Sequence, residues 1–232
     1  VNIGNNDVAT GYVGGVSAVG PAVITKSDAR DWIAGANGEL DNTDADLGLG
    51  DSQNITYFTP RIAGFQAIVS YTPDNSDGNT SSFDDQETTG IHNGISAAVK
   101  WGGKFGGTQV NLAAGYTEAE NDDDTSAGGD PEAWGMNVAG SIGFGAFKLT
   151  GAYAKEQIGD TDEFWGTSVV YKMNKADTVS LAYGKGTESQ NGNAATIGQD
   201  NKSSVLTLGY ERSLGKGVTF ASSLFKFSNS GP

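Results

Sequence analysis

The chain has 232 residues, of which 37% are hydrophobic and 18% charged, and its formal net charge at pH 7 is -14. This acidity argues against a nucleic-acid partner, because proteins that bind nucleic acids are basic where they touch phosphates. The absence of cysteine excludes disulfides and thiolate chemistry, and no apolar stretch of about 18 residues could form a transmembrane helix.

The first predicted element is a long loop over residues 1–53. This segment is rich in Gly, Ala and Asp and lacks a regular alternation of apolar and polar residues. Loops of this length in compact proteins are usually functional or disordered. From residue 54 onward the pattern becomes regular, so we divide a single domain into a loop, 1–53, and a region of strand hairpins, 54–232.

Five pairs of strands are predicted in that second region, because apolar and polar residues alternate with the period of a β-strand. The pairs cover approximately residues 54–72, 95–116, 134–153, 165–183 and 206–224. One face of each strand is apolar with aromatic residues near its ends, and the other is small or polar. A sandwich would need large apolar residues in its interior. The pattern therefore favours an all-β, antiparallel transmembrane β-barrel, of which about ten strands are present.

The connections between the strands differ at the two edges of the predicted sheet. One edge has short turns such as Ala63-Gly64 and Gly145-Ala146, with basic residues nearby, whereas the other has long acidic loops at residues 74–87, 118–132 and 159–163. Barrels of the bacterial outer membrane have short periplasmic turns and longer extracellular loops. The acidic edge is therefore expected to face the outside of the cell.

The segment NITYFTPRIAGFQAIVSYTPD, residues 54–74, resembles a central hairpin of Gram-negative general porins, particularly those of alphaproteobacteria. The resemblance is carried by Asn54, Ile55, Tyr57, Thr59-Pro60, Gly64-Phe65 and Ser70-Tyr71-Thr72-Pro73. It implies a trimeric barrel of about sixteen strands in the outer membrane, in contact with lipid and lipopolysaccharide. It further implies that the chain runs from the pore-constricting loop to the penultimate strand. Roughly a third of the barrel would then lie outside this chain, since a sheet with an open edge is not stable in lipid.

The same resemblance places a loop that narrows the pore at about residues 23–51. The residues expected to line this constriction are Asp28, Arg30, Asp31, Glu39, Asp41, Asp44 and Asp46. Three lysines lie near the short turns at strand positions that alternation assigns to the lumen-facing side. They are expected in the pore wall: Lys100, Lys148 and Lys172. Charged groups in a narrow pore set its ion preference.

The function expected from these features is a channel for the passive diffusion of small hydrophilic solutes, with no enzymatic activity and no cofactor. The alternative is a surface-exposed β-protein that acts in adhesion or as a receptor. A hydrolase using the single histidine, His92, is disfavoured because no Gly-x-Ser-x-Gly motif is present. The clusters Asp84-Asp85 and Asp122-Asp123-Asp124 offer oxygen ligands for calcium, but their spacing does not match an EF-hand loop.

Overall fold

The computed structural model describes residues 1–15, 45–50, 52–74, 90–121, 132–189 and 200–230. The described strands form one antiparallel sheet of eleven strands, each paired with its neighbours in chain order. The strands are β1 (Asn2–Asn5), β2 (Gln53–Phe58), β3 (Phe65–Asp74), β4 (Ile91–Phe105), β5 (Thr108–Asn121), β6 (Glu132–Phe144), β7 (Phe147–Ile158), β8 (Asp160–Lys172), β9 (Asp177–Ser189), β10 (Asp200–Gly215) and β11 (Val218–Ser230). A single turn of 3-10 helix, Ala9–Tyr12, follows β1.

The predicted all-β antiparallel fold is confirmed, and each of the five predicted strand pairs corresponds to two neighbouring strands of the sheet, β2 to β11. The loop expected over residues 1–53 needs one correction, since β1 lies within it and pairs with β2 from Asn2↔Thr56 to Asn5↔Gln53. This strand has only four residues, Asn-Ile-Gly-Asn, which is too short to show an alternation. Among the described residues, none of the helical segments is long and apolar enough to cross a membrane.

The two faces of the sheet differ in polarity. On the face that we call outer, Val69, Val99 and Val138 are 48%, 47% and 49% exposed. On the opposite face, which we call inner, Ser70, Ser96 and Thr117 are buried. Apolar side chains are therefore exposed and polar ones covered, the reverse of a soluble domain.

Aromatic contacts on the outer face lie near both ends of the strands. Phe147 stacks on Tyr171 beside the turn that joins β6 to β7, with ring centroids 4.6 Å apart. Trp165 and Tyr183, nearer the loops, have centroids 5.3 Å apart. Two levels of amphipathic rings on an apolar face are typical of the girdles of outer-membrane barrels.

Two stretches of chain cover part of the inner face, over strands β2 to β7. We call residues 6–13 the first inner segment and residues 45–50 the second inner segment. Val8, Leu47 and Leu49 are almost fully buried in one cluster that also contains residues of β4, β5 and β6. The inner face of the sheet, which we call the wall, thus positions both segments by packing against them.

Candidate functional site

Hydroxyl groups of the wall hold the first inner segment at Thr10. The Thr10 backbone N–H donates to Ser96 Oγ of β4 at 3.1 Å, and Thr10 Oγ1 lies 3.0 Å from Thr117 Oγ1 of β5. Asn137 Nδ2 of β6 donates to the Thr10 carbonyl oxygen at 3.0 Å. Three adjacent strands therefore bind one residue through its backbone and its side chain.

The two ends of the first inner segment are held by polar side chains of the wall, one of an asparagine and one of a lysine. Asn54 Nδ2 of β2 donates to the carbonyl oxygen of Asn6, and Lys100 Nζ of β4 donates to that of Tyr12. Buried backbone carbonyls need such partners, because leaving one without a hydrogen bond costs about 1–3 kcal/mol. The polar wall thus supplies hydrogen-bond partners to the backbone of a segment that forms only one turn of helix.

Apolar contacts accompany these hydrogen bonds. Ala9 and Val13 pack in a buried cluster with Ile68 of β3 and Ala98 of β4, and the ring of Tyr12 meets that of Phe58 edge-on at a centroid distance of 5.0 Å. Burial of these groups removes apolar area from water at about 25 cal/mol per Å². The segment is therefore attached by packing as well as by polar contacts.

A glutamate of β7 holds the second inner segment. The Leu47 backbone N–H donates to Glu156 Oε1 at 2.5 Å, and the contact is buried. A buried backbone N–H needs such an acceptor, because leaving it without a hydrogen bond costs about 1–3 kcal/mol. Leu47 and Leu49 also pack with Val8 of the first segment, so the two inner segments share one hydrophobic cluster on the wall.

Glycines on the inner wall make room for both segments. A Cβ at Gly135 of β6 would lie 2.6 Å from the carbonyl oxygen of Ala45. A Cβ at Gly115 of β5 would lie 2.9 Å from Cγ2 of Thr10. Both distances are too short for ordinary contacts, so the absence of a side chain at these positions lets the backbone of the inner segments approach the sheet.

Asp46 is the one predicted constriction residue that the described segments contain. Its Oδ1 accepts a hydrogen bond from the Gly48 N–H at 3.0 Å, which closes a tight turn within the second inner segment. Burial raises the pKa of the Asp46 carboxyl, and the nearby charge of Asp7 raises it further. The Asp46 carboxyl group is thus largely buried within the second inner segment, and burial makes its negative charge unfavourable.

The remaining predicted constriction residues lie outside the described residues: Asp28, Arg30, Asp31, Glu39, Asp41 and Asp44. The inner segments on either side of them are both attached to the wall. The same holds for the suggested calcium ligands, Asp84-Asp85 and Asp122–Asp124, which the structure does not describe. In the part of the chain that it does describe, no three His, Asp or Glu side chains form a group suited to a metal ion.

The three predicted wall lysines lie toward the turn end of the inner face. Lys100 and Lys148 line one cavity of about 290 Å³, together with Arg61 from the connection between β2 and β3. Lys148 and Lys172 line a second cavity of about 550 Å³. The lysines are thus brought together, and Arg61 is a basic neighbour that the sequence did not single out for this site.

His92 lies at the loop end of the sheet, close to the start of β4. Its Nε2 is 3.1 Å from Glu120 Oε2 of β5, and its Nδ1 is 3.3 Å from the Gly90 carbonyl oxygen. Each of the two ring nitrogens of His92 therefore has a polar partner, one on β5 and one just before β4.

The anchoring residues were missed by sequence reasoning. Ser96, Thr117 and Asn137 carried only one signal, the parity that places them on the inner face, and many other small polar residues share it. Glu156 was equally inconspicuous within an acidic chain. Their partners are distant in sequence by 86 residues for Thr10–Ser96 and 109 for Leu47–Glu156, so no local pattern could identify them.

Comparison with solved structures finds two porins and a further outer-membrane protein. An anion-selective porin from Comamonas acidovorans matches with a TM-score of 0.53 and 20% identity, over 76% of this chain and 49% of that one. The outer-membrane expressed OmpT of Vibrio cholerae gives a TM-score of 0.53 and 14% identity, over 90% and 65% of the two chains. A porin refined at 1.8 Å gives 0.59 and 18%, over 97% and 71%. At these identities the similarity concerns the fold.

The chain therefore spans about half of the first of these proteins, 49%, and 65% of the second. Comparison with curated protein sequences gives no significant match. The family model for Gram-negative porins, in contrast, matches residues 1–232. This match confirms the resemblance seen in the hairpin of residues 54–74, and the chain belongs to the Gram-negative porin family.

Proposed function

We propose that the protein is an outer-membrane porin, a water-filled channel through which small hydrophilic solutes and ions diffuse passively. The observation that carries this proposal is the reversed polarity of the sheet, together with the chain segments attached to its polar face. An apolar outer face suits lipid, and a polar inner face suits a column of water. A segment folded inward from such a wall narrows the column, and the narrowest point sets the size limit for solutes.

We assign the narrowing of the pore to the two inner segments and to the chain that connects them. Residues 16–44 connect two anchored stretches, and most of the predicted constriction residues belong to that connection. The proposed lining is Asp28, Arg30, Asp31, Glu39, Asp41, Asp44 and Asp46. Diffusion through such a passage depends on geometry and electric field, so the proposed function involves neither a catalytic residue nor a cofactor.

The test is single-channel recording in planar bilayers, using the full-length porin that contains this chain. Stepwise increases in conductance, of one characteristic size, are expected as each channel inserts. A protein that folds and inserts but never conducts would contradict the channel and would favour the alternative, a surface-exposed β-protein in adhesion or reception.

We further propose a homotrimer, which is the assembly implied by the family. The expected result is a species of three times the monomer mass in detergent, converted to monomers by heating before electrophoresis. A monomer in mild detergent at all concentrations would refute the trimer without affecting the channel.

Lipopolysaccharide is the proposed lipid partner, at two lysines of the outer face. Lys155 Nζ lies 5.8 Å from the centroid of the Trp134 ring, and Lys185 is directly across from Trp165 in the sheet. Cations beside interfacial aromatics are placed at the level of anionic headgroups. Lys155→Gln with Lys185→Gln is expected to reduce stabilisation by added lipopolysaccharide. Lys202→Gln, whose ammonium lies 3.1 Å from Asp200, is the control and should leave the stabilisation unchanged.

A further inference from the structure

Positive charge is concentrated at the turn end of the inner face. Arg61, Lys100 and Lys148 line the cavity of about 290 Å³, and Val13 and Gly14 of the inward-folded chain close one side of it. A cavity of this size exceeds the roughly 30 Å³ that one water occupies in the liquid. It can therefore hold a small hydrated solute beside three cationic side chains.

A second cavity continues the first toward the turns. It has a volume of about 550 Å³ and brings Lys104 and Lys172 to the same surface, while Lys148, Asn111 and Ser141 line both cavities. The described lining residues of the two cavities thus contribute five cations and no carboxylate. Small wall residues separate these cations, which is why space remains between them.

The cations are close enough to affect one another. Arg61 and Lys100 line the same cavity, and like charges that share a cavity raise each other's free energy. An anion between them would reverse the sign of this interaction. Arg and Lys are also the side chains best suited to phosphate oxygens, since a guanidinium donates two parallel hydrogen bonds and an ammonium acts as a point charge.

A neutral donor lies between the cations. Ser141 Oγ accepts a hydrogen bond from Asn111 Nδ2 at 3.1 Å, so that its own hydroxyl proton can be donated into the cavity. Donors of both kinds, charged and neutral, are what a tetrahedral oxyanion requires, because it presents several acceptor oxygens in different directions.

The opposite end of the inner face carries acidic groups. Glu156 lies eight residues after Lys148 along β7, which corresponds to about 26 Å at roughly 3.3 Å per residue. Asp46 lies in the second inner segment, which Glu156 binds. These carboxyl groups lie far from the two cavities, whose described lining residues include no carboxylate, so the cavities at the turn end are where an anion is favoured.

We propose that the turn end of the inner face is a binding site for small tetrahedral oxyanions, namely inorganic phosphate and phosphate monoesters, formed by Arg61, Lys100 and Lys148 with Ser141. The site deepens the proposed function and rests on it, since the inner face is taken as the wall of the pore. It names a class of solute that the channel would concentrate at its periplasmic end.

The test uses the full-length porin that contains this chain, with Arg61→Gln and Lys148→Gln combined as the variant. Lys100 is left intact because its ammonium also holds the Tyr12 carbonyl. Lys216→Gln removes one positive charge from the turn between β10 and β11, at the same end of the sheet but outside both cavities, and is the control.

Two measurements are made with inorganic phosphate as the probe. The first is block of chloride current by phosphate added on the periplasmic side, and the second is broadening of the phosphate ³¹P resonance by protein in detergent, which needs no current. In the double variant we expect half-block to require about tenfold more phosphate, with a matching loss of broadening. The control should behave as the wild type, and acetate should block more weakly than phosphate.

The outcomes separate this inference from the channel itself. A conducting wild type that phosphate neither blocks nor binds would overturn the oxyanion site and leave the channel intact. Equal block by acetate and phosphate would overturn the preference for tetrahedral anions. A protein that broadens the phosphate resonance without conducting would keep the site and refute the channel. Equal loss of block in Lys216→Gln would attribute the effect to general surface charge and would also overturn the site.

Discussion

At the scale of single residues, the charge of Asp46 is expected to make docking of the second inner segment depend on pH. Because burial raises the pKa of this carboxyl, protonation favours the folded state over the unfolded one. The stability of the segment should therefore rise as pH falls through the raised pKa and decrease as pH rises. The measurement is the hydrogen-exchange protection of the Leu49 amide, which donates to the Asp46 carbonyl at 3.0 Å.

Two variants test this assignment. Asp46→Asn keeps an acceptor for the Gly48 N–H but cannot ionise, so its protection should lose the part of the pH dependence that Asp46 causes. Asp7→Asn removes a neighbouring negative charge and should shift the transition of the wild type to lower pH. Equal protection of the wild type at acidic and neutral pH would show that the carboxyl does not control docking.

The wall glycine Gly135 should be intolerant of even a methyl group. A Cβ there would lie 2.6 Å from the Ala45 carbonyl oxygen, and backbone cannot move as easily as the end of a side chain. Overpacking of this kind costs about 1–3 kcal/mol. We expect Gly135→Ala to lower the free energy of unfolding in detergent by that amount. Gly143→Ala, on the same strand and face, is the control because its nearest atoms are 3.9 Å away.

At the scale of elements, the hydrogen bond from Leu47 to Glu156 should decide whether residues 45–50 remain attached to β7. Glu156→Ala leaves a buried N–H without this acceptor, which costs about 1–3 kcal/mol. Faster cleavage at the acidic residues near this segment by a protease specific for Asp and Glu is the expected result. Glu163→Ala, on the exposed outer face of β8, is the control. Unchanged cleavage in Glu156→Ala would contradict the anchoring role.

Elements were predictable where they repeat and unpredictable where they occur once. The hairpins of β2 to β11 follow from alternation, since each strand places a lipid-facing side chain at every second position. The strand β1 and the 3-10 helix Ala9–Tyr12 are too short for such a pattern. Their positions depend instead on distant partners such as Asn54 and Ser96, which a single sequence does not reveal.

The candidate site was predictable in part for the same reason. Parity alone placed Lys100, Lys148 and Lys172 on the inner face near the turns, and the structure finds them there. It could not show that Arg61 joins Lys100 in one cavity, because Arg61 belongs to a connection without strand periodicity. Nor could parity show that Lys100 also binds the Tyr12 carbonyl.

At the scale of the whole molecule, the reversed polarity ties stability to the lipid. A soluble sheet gains stability by hiding its apolar face within the protein, whereas here that face is exposed. The polar face is covered in part by the inner segments, over β2 to β7. Substitutions on the two faces should therefore act differently. Changes on the inner wall affect docking of the segments, and changes on the outer face affect the free energy of insertion in lipid.

Leu181 offers a direct test of this division. It lies on the outer face of β9, 51% exposed, between Val169 and Leu208 of the neighbouring strands. Arginine near the middle of the bilayer costs about 2–4 kcal/mol, and close to zero to 1 kcal/mol near the interface. We expect Leu181→Arg to lower the free energy of unfolding in lipid vesicles by the larger amount. The measurement is a reversible urea titration.

Thr187→Arg introduces the same side chain on the same strand and face, six residues nearer the loops, where Thr187 is across from Glu163. Its cost should be the smaller one, so that the difference between the two variants reports depth in the membrane and not the loss of a leucine contact. Equal costs for the two arginines would mean that this face does not cross a hydrocarbon layer. The outer face would then have to be covered by protein, and the argument that assigns the opposite face to a water-filled pore would lose its basis.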